Sequence, residues 1–279
     1  MKTENHIIKI QPLNSELLLI KNLKDLISKK YSEFFYAVIV HGSVATEEII
    51  PYSDFDGLLI VKDEWVNTKE LKKFKVESLR YIYQFDPLQH HGWFEIKESD
   101  LLNYPENYLP INTLKYSKVI FPENRPLKLE LKRSFDVDYN TFLFKMLDQF
   151  EKRELEKWRP KNSYQLKSFL SQIMLIPCLY YSAVNNDGIF KRESFIAVRD
   201  NFSEKEWMPI VVSSKIRIEW NYKISGFKRL LFGVQNRYFR KIVTRFFAPK
   251  ISSRLGSQID EEFYNNLMLF IRKIKKDIL

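Results

Sequence analysis

Two aspartates one residue apart, Asp54 and Asp56, stand at the start of the apolar run "DFDGLLIV". Ten residues separate them from the Gly42-Ser43 pair that follows "FFYAVIV" in a chain with only seven glycines. In a strand, alternate side chains share a face, so the two carboxylates would sit about 7 Å apart along the chain on one side. Unpaired carboxylates that close repel each other and resist burial. A divalent cation removes the conflict: Mg²⁺ prefers oxygen ligands and keeps positions open for substrate phosphates. Two such ions, roughly 3.5–4 Å apart, can hold the attacking and leaving oxygens of a phosphoryl or nucleotidyl transfer. Gly42 lets backbone approach a bulky anion, and the Ser43 hydroxyl with the amides opening a following helix can donate to phosphate. Alone, "PYSDFDG" also reads as a solvated turn, because Asp and Ser are common in turns.

The elements that must position these groups follow from periodicity. Apolar residues at 17, 20, 23, 26 and 27 have helical spacing. Residues 34–40 are a β-branched and aromatic run of strand length, and "SVATEEII" can form a short helix after the Gly-Ser turn. "DFDGLLIVKD" reads as a second strand, residues 68–85 as an amphipathic helix, and "HHGWFEI", residues 90–96, as a third strand. "FPENRPLKLELKRSFDVD", with two prolines and mixed charge, reads as a connector. Beyond it "YNTFLFKMLDQFEKRELEKW", "SYQLKSFLSQIMLIPCLYYSAV", "KRESFIAVRDNF" and "DEEFYNNLMLFIRKIKKDIL" are helical segments. The expected fold is α+β: a small mixed β-sheet domain with flanking helices over residues 1–125, then a mostly α-helical domain over residues 126–279.

A hydrophobic strand ending in Gly-Ser, a gap of about ten residues and an Asp-hydrophobic-Asp triplet together resemble the signature of the DNA polymerase β superfamily of nucleotidyltransferases. Here the motif is "VIVHGSVATEEIIPYSDFDGLLIV". The resemblance covers residues 15–96 and extends loosely into the helical half, which completes the cleft in the superfamily's small-molecule enzymes. It implies a metal-dependent nucleotidyltransferase with Asp54 and Asp56 holding Mg²⁺, two ions in all. Gly42 and Ser43 would grip the phosphates of ATP or another nucleoside triphosphate. The acceptor is expected to be a hydroxyl of a small molecule; an RNA end, a protein side chain, or silent nucleotide binding are the alternatives. Gly57 departs from the pattern, in which a larger apolar residue usually follows the second aspartate.

The superfamily usually adds a third acid from a neighbouring strand, to bind metal or take a proton. Strand parity over residues 90–96 puts Phe94 and Ile96 on a core face and His91, Trp93 and Glu95 on the other. Glu95 is the acid in the right element, His91 can serve as base or ligand instead, and Asp86 stands in the turn before Pro87. Lys167 and the Lys191-Arg192 pair are candidate cations for the triphosphate, as in other phosphoryl-transfer sites, although lysines on helices more often face water.

Hydrophobic residues make up 45% and charged residues 29%, the balance of a folded chain rather than a disordered one. Cys178 is the single cysteine, which excludes an intramolecular disulfide and a cysteine-built zinc site and suits a cytoplasmic setting. The N-terminal residues lack the apolar run of a secretory signal. The most apolar segment, residues 169–184, is interrupted by Gln172 and Pro177 and falls short of the roughly 20 residues a membrane span needs, so no transmembrane segment is expected. The net charge of +10 comes from the C-terminal quarter: residues 223–254 hold nine basic side chains and no acidic one. Apolar positions 227, 230, 231, 234, 238, 242 and 246 form a helical stripe there. A helix capping the C-terminal domain, its basic side wet, is the plain reading; contact with RNA or an anionic membrane through residues 223–254 is the alternative.

Overall fold

The computed structural model describes residues 4–106, 109–133, 137–222, 224–234 and 236–278. Lys223, counted in the basic stretch, lies outside the described residues. The fold is α+β, and the chain falls into two compact units. One comprises Met1–Ile49, Ser53–Phe135 and Ser225–Phe247; the other comprises Ile50–Tyr52, Asp136–Ile224 and Ala248–Leu279.

The first unit is built on a six-stranded mixed sheet. Its strands are β1 (Glu4–Pro12), β2 (Phe35–His41), β3 (Asp56–Val61), β4 (Phe94–Lys97), β5 (Lys118–Phe121) and β6 (Leu127–Arg133), in the spatial order β4-β3-β2-β5-β1-β6. β2 runs antiparallel to both β3 and β5, while β3–β4 and β1–β5 are parallel pairs. Three helices follow in chain order: α1 (Leu18–Leu26), the single turn α2 (Gly42–Ala45) and α3 (Lys69–Phe85). Thr68 caps α3 by accepting the Leu71 N–H at 3.1 Å. Strand alternation splits the core in two. Val38, Val40, Leu59 and Val61 pack with α1 and α3 residues such as Leu23 and Phe74, whereas Ala37, Ile39, Leu58 and Ile60 join a second cluster with Leu129.

The expected boundary at residue 125 is corrected to 135. "LKLELKR" is not a connector but β6, whose Leu127, Leu129 and Leu131 are buried and whose backbone pairs antiparallel with β1 from Glu4↔Arg133 to Ile10↔Leu127. β6 forms one edge of the sheet and displays the exposed charges Lys128 and Glu130, with Lys132 half-buried; the other edge, β4, is four residues long.

The second unit is helical. α4 (Tyr139–Leu155) is capped by Asp138, α5 (Ser163–Ile173) by Asn162, and α6 (Ile176–Asn185), α7 (Lys191–Val198) and α8 (Glu204–Ile218) follow. The helical segment expected over residues 163–184 is divided into α5 and α6, because Pro177 lacks an N–H and sits in the first turn of α6. α8 opens on a capping box between Ser203 and Glu206. The chain then returns to the first unit as α9 (Gly226–Phe232) and α10 (Arg237–Phe246), before α11 (Ser253–Gly256) and α12 (Glu261–Ile278) complete the second. Residues 225–247 therefore do not belong with the helical domain to which the sequence reading assigned them. Among the described residues no helix is long and apolar enough to cross a membrane.

Candidate active site

β2 is apolar and buried up to Val40, and its last residue, His41, lies opposite Asp56, the first residue of β3. This register brings the Gly-Ser bend to the second aspartate. Gly42 takes φ +66°, a left-handed conformation, and a Cβ built on it would stand 2.7 Å from Asp56 Oδ2. Glycine is required there twice, by backbone geometry and by the carboxylate resting on its Cα. α2 is one turn only, so it offers local backbone amides rather than the summed dipole of a long helix.

Phe55 drives the segment between the aspartates into the core. It is wholly buried and meets Trp93 edge-to-face at 5.0 Å. The buried Gln89 amide grips its backbone at both ends: the Phe55 N–H donates to Gln89 Oε1 at 3.0 Å, and Gln89 Nε2 donates to the Phe55 carbonyl at 2.7 Å. An N–H and C=O of one residue that point the same way mark extended backbone, so Asp54 and Asp56 turn away from the side that takes Phe55. Asp54 makes no hydrogen bond or ion pair among the described residues. Asp56 Oδ1 lies 2.8 Å from His91 Nε2. The structure therefore joins Gly42, Asp56 and His91 directly, with Ser43 next in chain to Gly42 and Asp54 one residue from Phe55.

Glu95 does not join them. β4 pairs with β3 in parallel with Glu95 opposite Leu59, so Glu95 shares the face of Leu59, whereas Asp56 lies on the face of Leu58 and Ile60. Its carboxylate is ion-paired with Lys75 of α3. β4 begins only at Phe94, so His91 precedes the strand and its reach to Asp56 owes nothing to alternation. Asp86 is buried and accepts the Leu88 N–H at 3.0 Å, which fixes the turn before Gln89. Lys167 and Lys191 lie in the second unit. Lys167 is 1% exposed, with Nζ 5.0 Å from the Tyr52 ring centroid, while the Tyr52 hydroxyl donates to the Lys167 carbonyl at 2.5 Å. Lys191 opens α7, exposed, near the Cys178 thiol.

Three residues that the sequence reading passed over shape the site. Gln89 is the first. Trp93 is the second: a Cβ at Gly57 would stand 2.4 Å from its ring, so the indole fills the space a side chain at 57 would need, and it is itself fixed by donation to Ser78 Oγ at 2.7 Å. Arg240 of α10 is the third. It is buried, its Nη2 donates to the carbonyls of Pro87 and Gln89 at 2.9 Å each, its Nη1 donates to the Phe232 carbonyl at 2.9 Å, and its guanidinium lies 3.5 Å over the Tyr83 ring. It pins the turn from which Gln89 reaches Phe55.

Among the described residues no three His, Cys, Asp or Glu side chains converge as a ready-made metal cluster. Two carboxylates still fit Mg²⁺, which is commonly held by one or two carboxylates and completed by waters and substrate phosphates. No protein-family model, curated protein or solved structure matches this chain.

Proposed function

We propose that this chain is a magnesium-dependent nucleotidyltransferase that moves a nucleoside monophosphate from a nucleoside triphosphate, ATP first, to a hydroxyl of a small-molecule acceptor in the cytoplasm. The observation that supports the reading is the Asp56 carboxylate packed against Gly42, which brings the tight bend and the second aspartate together. Mg²⁺, when bound, supplies charge neutralisation for the triphosphate and the departing pyrophosphate. The chain's own residues bind and orient. Gly42 and Ser43 present backbone and hydroxyl to the β- and γ-phosphates, Asp54 and Asp56 hold the cation against them, and His91 steadies Asp56. With Glu95 on the other face, His91 is the group suited to take the proton from the acceptor hydroxyl as it attacks the α-phosphate in line. Positioning and fixed charge do most of the work.

A silent nucleotide-binding module is the second reading, favoured by the pairing of Glu95 with Lys75 away from the aspartates. Incubation with ATP labelled at the α-phosphate, Mg²⁺ and a fractionated cell extract separates the two. Label in a small metabolite supports transfer as proposed, and label in RNA or protein reassigns the acceptor. Full transfer by both Asp54→Asn and Asp56→Asn would refute the site.

A further inference from the structure

α10 sits on the sheet unit the opposite way round from its sequence pattern. Arg240, Val243 and Thr244, spaced i, i+3 and i+4, are its buried face. Tyr238, Ile242 and Phe246, spaced i, i+4 and i+8, form a stripe on the other side together with Phe239. Their exposure runs from 39% at Phe239 to 78% at Tyr238, and on α9 Phe227 and Leu230 are 72% and 75% exposed. Single exposed apolar residues are ordinary, but six large ones within twenty residues mark a surface that meets something. Lys241 and Arg245 flank the stripe on α10, and Lys228 lies between the two exposed apolar residues of α9; all three are exposed. No acidic residue stands between Lys223 and Arg254 to offset them.

The mixture of groups selects the partner. A second copy would bring the same uncompensated positive charge against itself. RNA would satisfy the lysines and stack on aromatic rings, but gives Leu230 and Ile242 no apolar medium. An anionic bilayer surface takes all of them: headgroups pair with Lys228, Lys241 and Arg245, the acyl boundary accepts Phe227, Leu230, Ile242 and Phe246, and Tyr238 suits the level between. We infer that α9 and α10 form a peripheral docking face for anionic membrane. The inward bonds of Arg240 hold the helix so that its apolar stripe faces out. This inference stands whether or not the chain transfers nucleotides.

The test is co-sedimentation of the full chain with vesicles of phosphatidylcholine alone and of phosphatidylcholine mixed with phosphatidylglycerol. Binding is expected only to the mixed vesicles. The double variant Ile242→Ser/Phe246→Ser should abolish it. The double variant Lys241→Gln/Arg245→Gln should weaken it about tenfold or more and flatten its salt dependence. All four side chains are exposed, so both variants should melt with the parent, and circular dichroism checks this. The inference is overturned by failure to bind mixed vesicles, by equal binding to both kinds, or by an Ile242→Ser/Phe246→Ser variant that binds like the parent. It is also overturned if the parent prefers single-stranded RNA to mixed vesicles at physiological salt, or sediments as a dimer that this variant dissociates.

Discussion

Gln89 and Phe55 are joined by two hydrogen bonds, one from each end of the Gln89 amide, so a side chain does for this backbone what a neighbouring strand would otherwise do. Gln89→Leu would leave the buried Phe55 N–H and C=O unpaired at a cost of about 2–6 kcal/mol, since each lost partner costs about 1–3. A shift of the urea midpoint measures this. Mg²⁺·ATP affinity should fall by more than in an equally destabilising core variant such as Leu143→Ala, because Phe55 is the residue between the two aspartates. Equal affinity in the two variants would remove Gln89 from the site's support.

Gly42→Ala meets two obstacles, a left-handed φ and the Asp56 carboxylate. The backbone alone costs about 1–2 kcal/mol, and the methyl group must push Asp56 aside. The expected result is a modest fall in melting temperature with a loss of nucleotide binding far larger than that fall accounts for. Ser43→Ala, one residue on, should keep the fold and weaken only triphosphate binding.

The aspartates should separate in stability while agreeing in activity. Asp54 has no partner among the described residues, so Asp54→Asn should change stability by less than about 0.5 kcal/mol. Asp56→Asn weakens the contact with His91 and should cost about 1 kcal/mol. Both should abolish transfer. Chemical denaturation and the labelled-ATP assay, run on the same preparations, check the two halves.

Cys178 should be unreactive in the native state. Burial pushes its thiol up to about 11, only partly opposed by the charge of Lys191, and its S–H donates to the Ile189 carbonyl at 3.0 Å. Cys178 is half-buried, so at neutral pH a thiol-exchange reagent should modify the folded chain far more slowly than the urea-unfolded chain. The ordinary thiol value is 9.0. The folded group holds its proton to higher pH than the unfolded one, so its contribution is complete below about pH 9 and is lost as pH rises toward 11, a change of order 2 kcal/mol. Cys178→Ala should remove that part of the alkaline fall in unfolding free energy.

The two strands that frame the site were legible because β2 and β3 are apolar runs broken at Gly42 and begun at Asp56. β6 was equally present as strict alternation in "LKLELKR", but flanking prolines and charges gave it the look of a linker. Alternation set Glu95 apart from Phe94 and Ile96 as observed, but only the register with β3 shows that Asp56 shares the face of Phe94 and not that of Glu95. Gln89 and Arg240 could not be read at all. Gln89 bonds a residue 34 positions away and two of the three carbonyls Arg240 bonds are more than 150 away, and no local pattern says that an arginine will turn inward to carbonyl oxygens while phenylalanines turn out.

The ends of the sheet carry a further consequence. β4 is only four residues long and its Lys97 N–H is already given to Asp100 Oδ2, while β6 sets Lys128, Glu130 and Lys132 along the opposite border. A neighbouring molecule finds too little ladder at one border and a charged fringe at the other. Strand-to-strand stacking between copies therefore finds a poor template at either border.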